Sequence, residues 1–296
     1  MKLKFAAAIA ALTLAWGCAT APERTYPPGP ALYVVRDADS TMYLFGTLHI
    51  RRGDAPWGGP NAQAGLVASD EVWTEMEISP ETEAQAQVLA LQRGINYERP
   101  LSSLLTAEQN TRLAAFAQQY GLPPQMLDIM EPWFAAITLS VLPMVQAGYD
   151  PNQGADRLID DFADQNGKAA RHFETAEDQI NFLSGFPLEV QVQWLVETMD
   201  QADEGAALFE GMAQAWETGD VRTLERLVVT DMRGESPDVY DVLIVRRNNA
   251  WMEDIVRELQ GAGTDFVAVG AGHVIGPEGL VAQLRARGYT VERIDP

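Results

Sequence analysis

Two of the three histidines in this chain stand in the same local frame, one near each end of the body. Each follows a β-rich run and closes a Gly-x-x-His, as Gly46-Thr47-Leu48-His49 and as Gly270-Ala271-Gly272-His273. A glycine at that point lets the chain turn sharply as it leaves a strand and lets a ligand come close to the main chain. In an open α/β sheet the residues just past the carboxyl ends of parallel strands share one crevice. The repeated frame therefore predicts two strands, distant in sequence and close in space, that carry His49 and His273 to one place.

The surrounding pattern fits that requirement. Residues 31–36 and 41–45 read as a hairpin turned at Asp37-Ala38-Asp39-Ser40, and 71–78 (EVWTEMEI) reads as a strand whose second half carries Glu75 and Glu77 on one face. From 79 to about 150 the patterning is helical, with Pro123, Pro132 and Pro151 as punctuation and Thr106 with Gln109 as a capping box. A helix over 153–166, a short strand over 169–173 ending at Glu174, and helices over 176–261 follow. The chain closes with a strand over 265–269, a loop over 270–276, a helix over 278–287 and a strand over 289–294. The expected architecture is α/β: a small central, mainly parallel sheet built from both chain ends, with a large helical insertion over 79–150 and further helices over 176–261.

Two imidazoles joined by Glu75 or Glu77 and by Glu174 would make a ligand set for manganese, cobalt or zinc with positions left open for water. A divalent ion brings the pKa of its water towards neutrality, and a nearby carboxylate can take the proton, so hydrolysis is the expected reaction. Arg246-Arg247-Asn248-Asn249 ahead of Trp251 offers a cation for an oxyanion or substrate carboxylate, and serves equally well as a charged helix surface. His172 lacks the glycine frame and reads as structural. The chain contains no Gly-x-Ser-x-Gly elbow, His-Glu-x-x-His helix or Walker-type loop. Gly270-Ala271-Gly272 with Gly276 imitates a dinucleotide fingerprint, but too few residues follow it for a mononucleotide-binding half.

The segments TMYLFGTLHI, SDEVWTEMEI, GADRLIDDFADQNGKAARHFETAEDQ, RRNNAWMEDI and DFVAVGAGHVIGPEGLVAQLRARGYTVERI, in that order, resemble the TraB/GumN family. That family is related to the Tiki metalloproteases and more remotely to erythromycin-esterase-like and ChaN-like proteins. The resemblance implies an α/β fold with a helical insertion and a site of two Gly-x-x-His motifs with a glutamate. It places them on Gly46 and His49, on Glu75, and on Gly270 and His273, with Gly272 inside the second motif. It adds the Arg247-Asn248 pair and Glu174, and it implies metal-dependent peptide cleavage by analogy with Tiki relatives. Glu77 departs from the family pattern, where Asp is frequent. His49 and His273 are thus expected metal ligands, Glu75 a ligand or general base, Glu174 a supporting carboxylate and Arg247 a stabiliser of developing negative charge. A peptide-binding or envelope-component-binding protein of the same fold and a metal-independent hydrolase are the alternatives.

Residues 1–17 have the layout of an export signal, with two lysines and then an apolar run too short to span a bilayer permanently. Gly17-Cys18 closes that run as in a bacterial lipobox, so Cys18, the one cysteine, is expected to carry lipid, with an ordinary signal peptide cut near Ala19 or Ala21 as the alternative. Ala19 in place of Asp resembles outer-membrane sorting, and the Pro-rich residues 18–30 read as a tether to a single domain over 31–296. The expected place is the periplasmic side of the outer membrane, with the lipid as the only membrane contact. A formal net charge of −21 leaves no basic surface for nucleic acid.

Overall fold

A computed structural model describes residues 29–53, 56–201 and 205–294. The expected export segment, Cys18 and most of the expected tether lie outside the described residues. Strand β1 (Leu32–Arg36) pairs antiparallel with β2 (Ser40–Thr47). Asp37 closes the turn between them, its Oδ1 accepting from the backbone of Asp39 and Ser40 and from the Ser40 hydroxyl. The other strands are β3 (Glu71–Thr74), β4 (Ala169–His172), β5 (Gly263–Gly270) and β6 (Val291–Arg293). They form one sheet in the order β4-β3-β5-β2-β1-β6, in which β4, β3, β5 and β2 pair parallel and β1 runs antiparallel to both of its neighbours, β2 and β6.

This is the mainly parallel α/β sheet expected, with β1 and β6, the first and last strands among the described residues, side by side. Strand β5 lies between β3 and β2, and Phe266, Val267, Ala268 and Val269 are buried almost completely, the signature of a strand covered on both faces. Phe45 packs between Phe266 of β5 and Trp216, and the Trp216 indole N–H donates to the Gly46 carbonyl at 2.6 Å. Burial of each such side chain contributes about 1.5–3 kcal/mol, enough to hold the end of β2 where His49 leaves it. Gly46 is required there, because a Cβ would stand 2.9 Å from the Ala271 backbone.

A second apolar cluster joins Leu101, Leu113, Phe116, Leu127 and Leu139 of the 79–150 region to Leu195 of the Leu188–Asp200 helix. The capping box at Thr106 and Gln109 is present, opening the Ala107–Gln119 helix. Further on, two π-helical stretches, Arg226–Thr230 and Asp241–Arg246, interrupt the α-helical run, and the second leads directly into the Arg247–Leu259 helix. π-Helical turns are common where a helix must aim side chains into a site.

Two local expectations are corrected. The strand read over 71–78 ends at Thr74, because its pairing with β4 and β5 stops there. The chain then turns away, with the Thr74 hydroxyl donating to the Met76 carbonyl and the Ile78 N–H donating to Asp160. Residues 270–276 are not wholly loop, since Ala271–Val274 forms one helical turn that presents His273.

Candidate active site

Each of the four parallel strands places a site residue at its carboxyl end. His49 lies two residues past β2, Glu75 one past β3, Glu174 two past β4 and His273 three past β5. The imidazole Nε2 atoms of His49 and His273 each lie 3.9 Å from the same Glu75 oxygen, Oε1. That oxygen also accepts the Gly270 N–H at 2.7 Å. A Cβ on Gly270 would sit 3.1 Å from Glu75 Oε1, 3.4 Å from His49 Nε2 and 3.6 Å from His273 Cδ2, so the missing side chain leaves the space around which the three groups close. The second glycine of the motif, Gly272, serves packing, because a Cβ there would meet Val228 at 2.9 Å.

Both rings are held by their other nitrogen. Asn248, fully buried, donates through Nδ2 to the carbonyls of His273 and Glu278, which leaves its Oδ1 to accept from His273 Nδ1–H at 2.7 Å. The Nε2 lone pair of His273 therefore faces the site. Burial, the dominant influence on this ring, holds the His273 pKa down at about 3, so the imidazole is neutral. His49 Nδ1 bonds Asp156 Oδ2 at 2.8 Å, and the Asp156 charge pushes the His49 pKa up to about 9. The His49 side chain is 57% exposed, so solvent screens that pair, and the upward direction is what the geometry supports.

Arg247 enters from the opening turn of the Arg247–Leu259 helix. Its Nε and Nη2 grip Glu174 as a fork at 2.7 and 2.8 Å, Nη2 also reaches Glu75 Oε2, and Nη1 donates to His273 Nε2 at 3.1 Å and to the Leu243 carbonyl at 3.2 Å. All five N–H groups are thereby engaged. The guanidinium also lies over Trp251, 4.9 Å from the ring centroid. Glu174 accepts four bonds, from Arg247 twice, from the Trp251 indole and from Gln179, which fills its acceptor capacity. Burial raises the Glu174 pKa against the pull of Arg247. For Glu75 burial acts in the same upward direction, but Arg247, both histidines and the Gly270 N–H outweigh it and hold the carboxyl well below the usual range.

The structure thus brings His49, Glu75, Glu174, Arg247, Asn248 and His273 together. Glu77 does not join them: it is exposed, beyond the turn at Thr74. His172 bonds the Thr74 hydroxyl at 2.8 Å, a structural contact as expected. Asp156 and Gln179 are site residues that sequence reading passed over. Asp156 stands in the first turn of the Ala155–Gln165 helix, where an acidic residue is ordinarily explained by the helix dipole. The signal beside it is Gly154, whose absent side chain lets the helix start against the His49 carbonyl, 2.6 Å from where a Cβ would be.

The TraB/PrgY/gumN family profile matches residues 31–293. The chain belongs to that family. The match spans every strand of this family member, from β1 to β6, and all six residues of the cluster. Among curated proteins, none matches the chain.

Two neutral-capable imidazoles with tethered Nδ1 atoms, an ionised carboxylate and the space over Gly270 fit a divalent cation by donor type and orientation. One competing contact is present: Arg247 donates to the lone pair that His273 would offer such an ion.

Proposed function

We propose that this protein is a hydrolase of the bacterial cell envelope acting on peptides, with a divalent ion, manganese, cobalt or zinc, held by His49 Nε2, Glu75 Oε1 and His273 Nε2. The observation that carries this reading is the pair of 3.9 Å approaches of two separately oriented imidazoles to one oxygen of Glu75. An ion held there supplies a water acidified towards neutrality. Asp156 and Asn248 orient the two rings, as partners on the far nitrogen do for metal-bound histidines. Glu75, kept ionised by Arg247, suits the ligand role better than that of a base, since a carboxyl held so low attracts protons weakly. Arg247 has no N–H left for a substrate and compensates the charge of Glu75 and Glu174 instead. Export by residues 1–17 and a lipid on Cys18 would tether the site to the outer membrane, and the sequence pattern supports this. Among the described residues no helix is long and apolar enough to cross a membrane.

The contact between Arg247 and His273 favours one second reading, hydrolysis without a metal, in which His49 backed by Asp156 handles the proton. The test uses protein lacking residues 1–21, with metal content measured for wild type, His49→Ala and His273→Ala beside peptide-library cleavage with and without Mn²⁺, Co²⁺ and Zn²⁺. Metal lost in both variants together with metal-stimulated cleavage supports the first reading. Unchanged metal content in both variants sinks the ligand assignment. Cleavage that persists under chelation selects the second reading, and peptide retention without cleavage under every condition selects a binding protein.

A further inference from the structure

The Arg247–Leu259 helix runs back along the sheet and links its two ends. Arg247 at its start meets the carboxyl ends of the parallel strands, and Glu258 near its finish meets their beginnings. There Glu71, the first residue of β3, stands beside Asp265 of β5 in parallel register, so both side chains leave on the same face. Carboxylate oxygens of Glu71, Asp265 and Glu258 all lie within 4.8 Å of one another.

Acidic clusters at a surface are ordinary, and Asp265 makes this one different. It is 7% exposed, and its carboxylate has no hydrogen bond or ion pair among the described residues. Arginines pair with the other two carboxylates of the cluster and not with Asp265: Arg171 holds both oxygens of Glu71 at 3.1 and 3.3 Å, and Arg257 approaches Glu258 at 3.8 Å while pairing with Asp254. Both point outward, with side chains 54% and 64% exposed. Asp70 nearby adds negative charge, with one oxygen taken by the Thr264 N–H. Glu258 sits in the last turn of its helix, where the dipole presents its negative end. A buried carboxylate among other carboxylates costs free energy unless a cation pairs with it.

We propose that Glu71, Glu258 and Asp265 form a binding site for a hard divalent cation of the Ca²⁺ class, which clamps the end of the Arg247–Leu259 helix to the start of β3 and β5. The donors are all carboxylate oxygens, the ligand type that such ions take, with water completing the shell. No imidazole or thiolate takes part, so the site is distinct from the cluster around Glu75, and it holds whatever becomes of the hydrolase reading.

The test is calorimetric titration with CaCl₂ at neutral pH, beside thermal melts with and without Ca²⁺. Both use the full protein and its His49→Ala/His273→Ala variant, so that the histidine cluster cannot supply the signal. The expected result is saturable Ca²⁺ binding in both proteins and a melting temperature that rises with Ca²⁺. Asp265→Asn and, separately, Glu258→Gln should weaken binding by at least about tenfold. Neither should lower the Ca²⁺-free melting temperature, because each relieves repulsion. Glu258 is partly exposed, so its variant decides should Asp265→Asn fold poorly. Absence of Ca²⁺ binding in the wild-type protein, or binding unchanged in both carboxamide variants, would overturn the proposal.

Discussion

Asn248 fixes the ring of His273. The Asn248 amide spends both protons on backbone carbonyls of the 273–278 segment, so its oxygen can only accept, and the imidazole must donate from Nδ1 and present a bare Nε2 to the site. Replacing Asn248 with Ala strips partners from one buried N–H and two carbonyls at once. The expected cost is about 2–4 kcal/mol of unfolding free energy. Urea denaturation measures it, and a loss well under 1 kcal/mol would show that the amide is not what holds the ring.

Arg247 should not tolerate lysine. Lysine offers three donors on one nitrogen, whereas Arg247 spans Glu75, Glu174, His273 and the Leu243 carbonyl with five N–H groups in a plane. Arg247→Lys leaves at least one buried carboxylate without its ion pair, and the expected destabilisation is about 3–5 kcal/mol. An unchanged denaturation midpoint would contradict this account of the guanidinium.

The two motif glycines should fail differently. At Gly46 a methyl group meets backbone at 2.9 Å, so Gly46→Ala is expected to destabilise the fold by about 1–3 kcal/mol. At Gly270 the backbone is compatible with any residue and the methyl meets Glu75 Oε1 and His49 Nε2 instead. Gly270→Ala should leave the melting temperature nearly unchanged and reduce metal affinity or cleavage roughly 10–100-fold. Equal effects of the two substitutions on stability and on the site would refute the distinction.

His49 gives a pH dependence whose sign follows from its partner. Its folded pKa is raised to about 9 from 6.5 by Asp156, so the pair stabilises the metal-free protein fully below pH 6.5. That contribution fades as pH rises through about 9. Thermal melts in chelator should therefore show wild type losing stability across this window while His49→Gln loses less. Parallel curves for the two proteins would mean that solvent screens the pair completely.

What the sequence determined by itself was local and repetitive. The Gly-x-x-His frame fixed the ends of β2 and β5, the hairpin turn and the capping box sat where the side chains dictated, and the interleaving of strands with helices set the α/β class. These signals survive because each depends on neighbours within a few residues. Glu77 shows where such signals stop. Alternation over EVWTEMEI is the same whether a strand continues or ends, and here β3 stops at Thr74, opposite the last residue of β4, while β5 runs on without it, which left Glu75 in the site and Glu77 in solvent. Asp156 and Gln179 reached the cluster because the Ala155–Gln165 and Ala176–Ser184 helices pack where they do. Asp265 and Glu71, 194 residues apart, became neighbours through strand register alone. Charge, burial and hydrogen-bond capacity are properties of what surrounds a side chain, and for these residues the surroundings come from distant parts of the chain, so tertiary structure alone decided their chemistry.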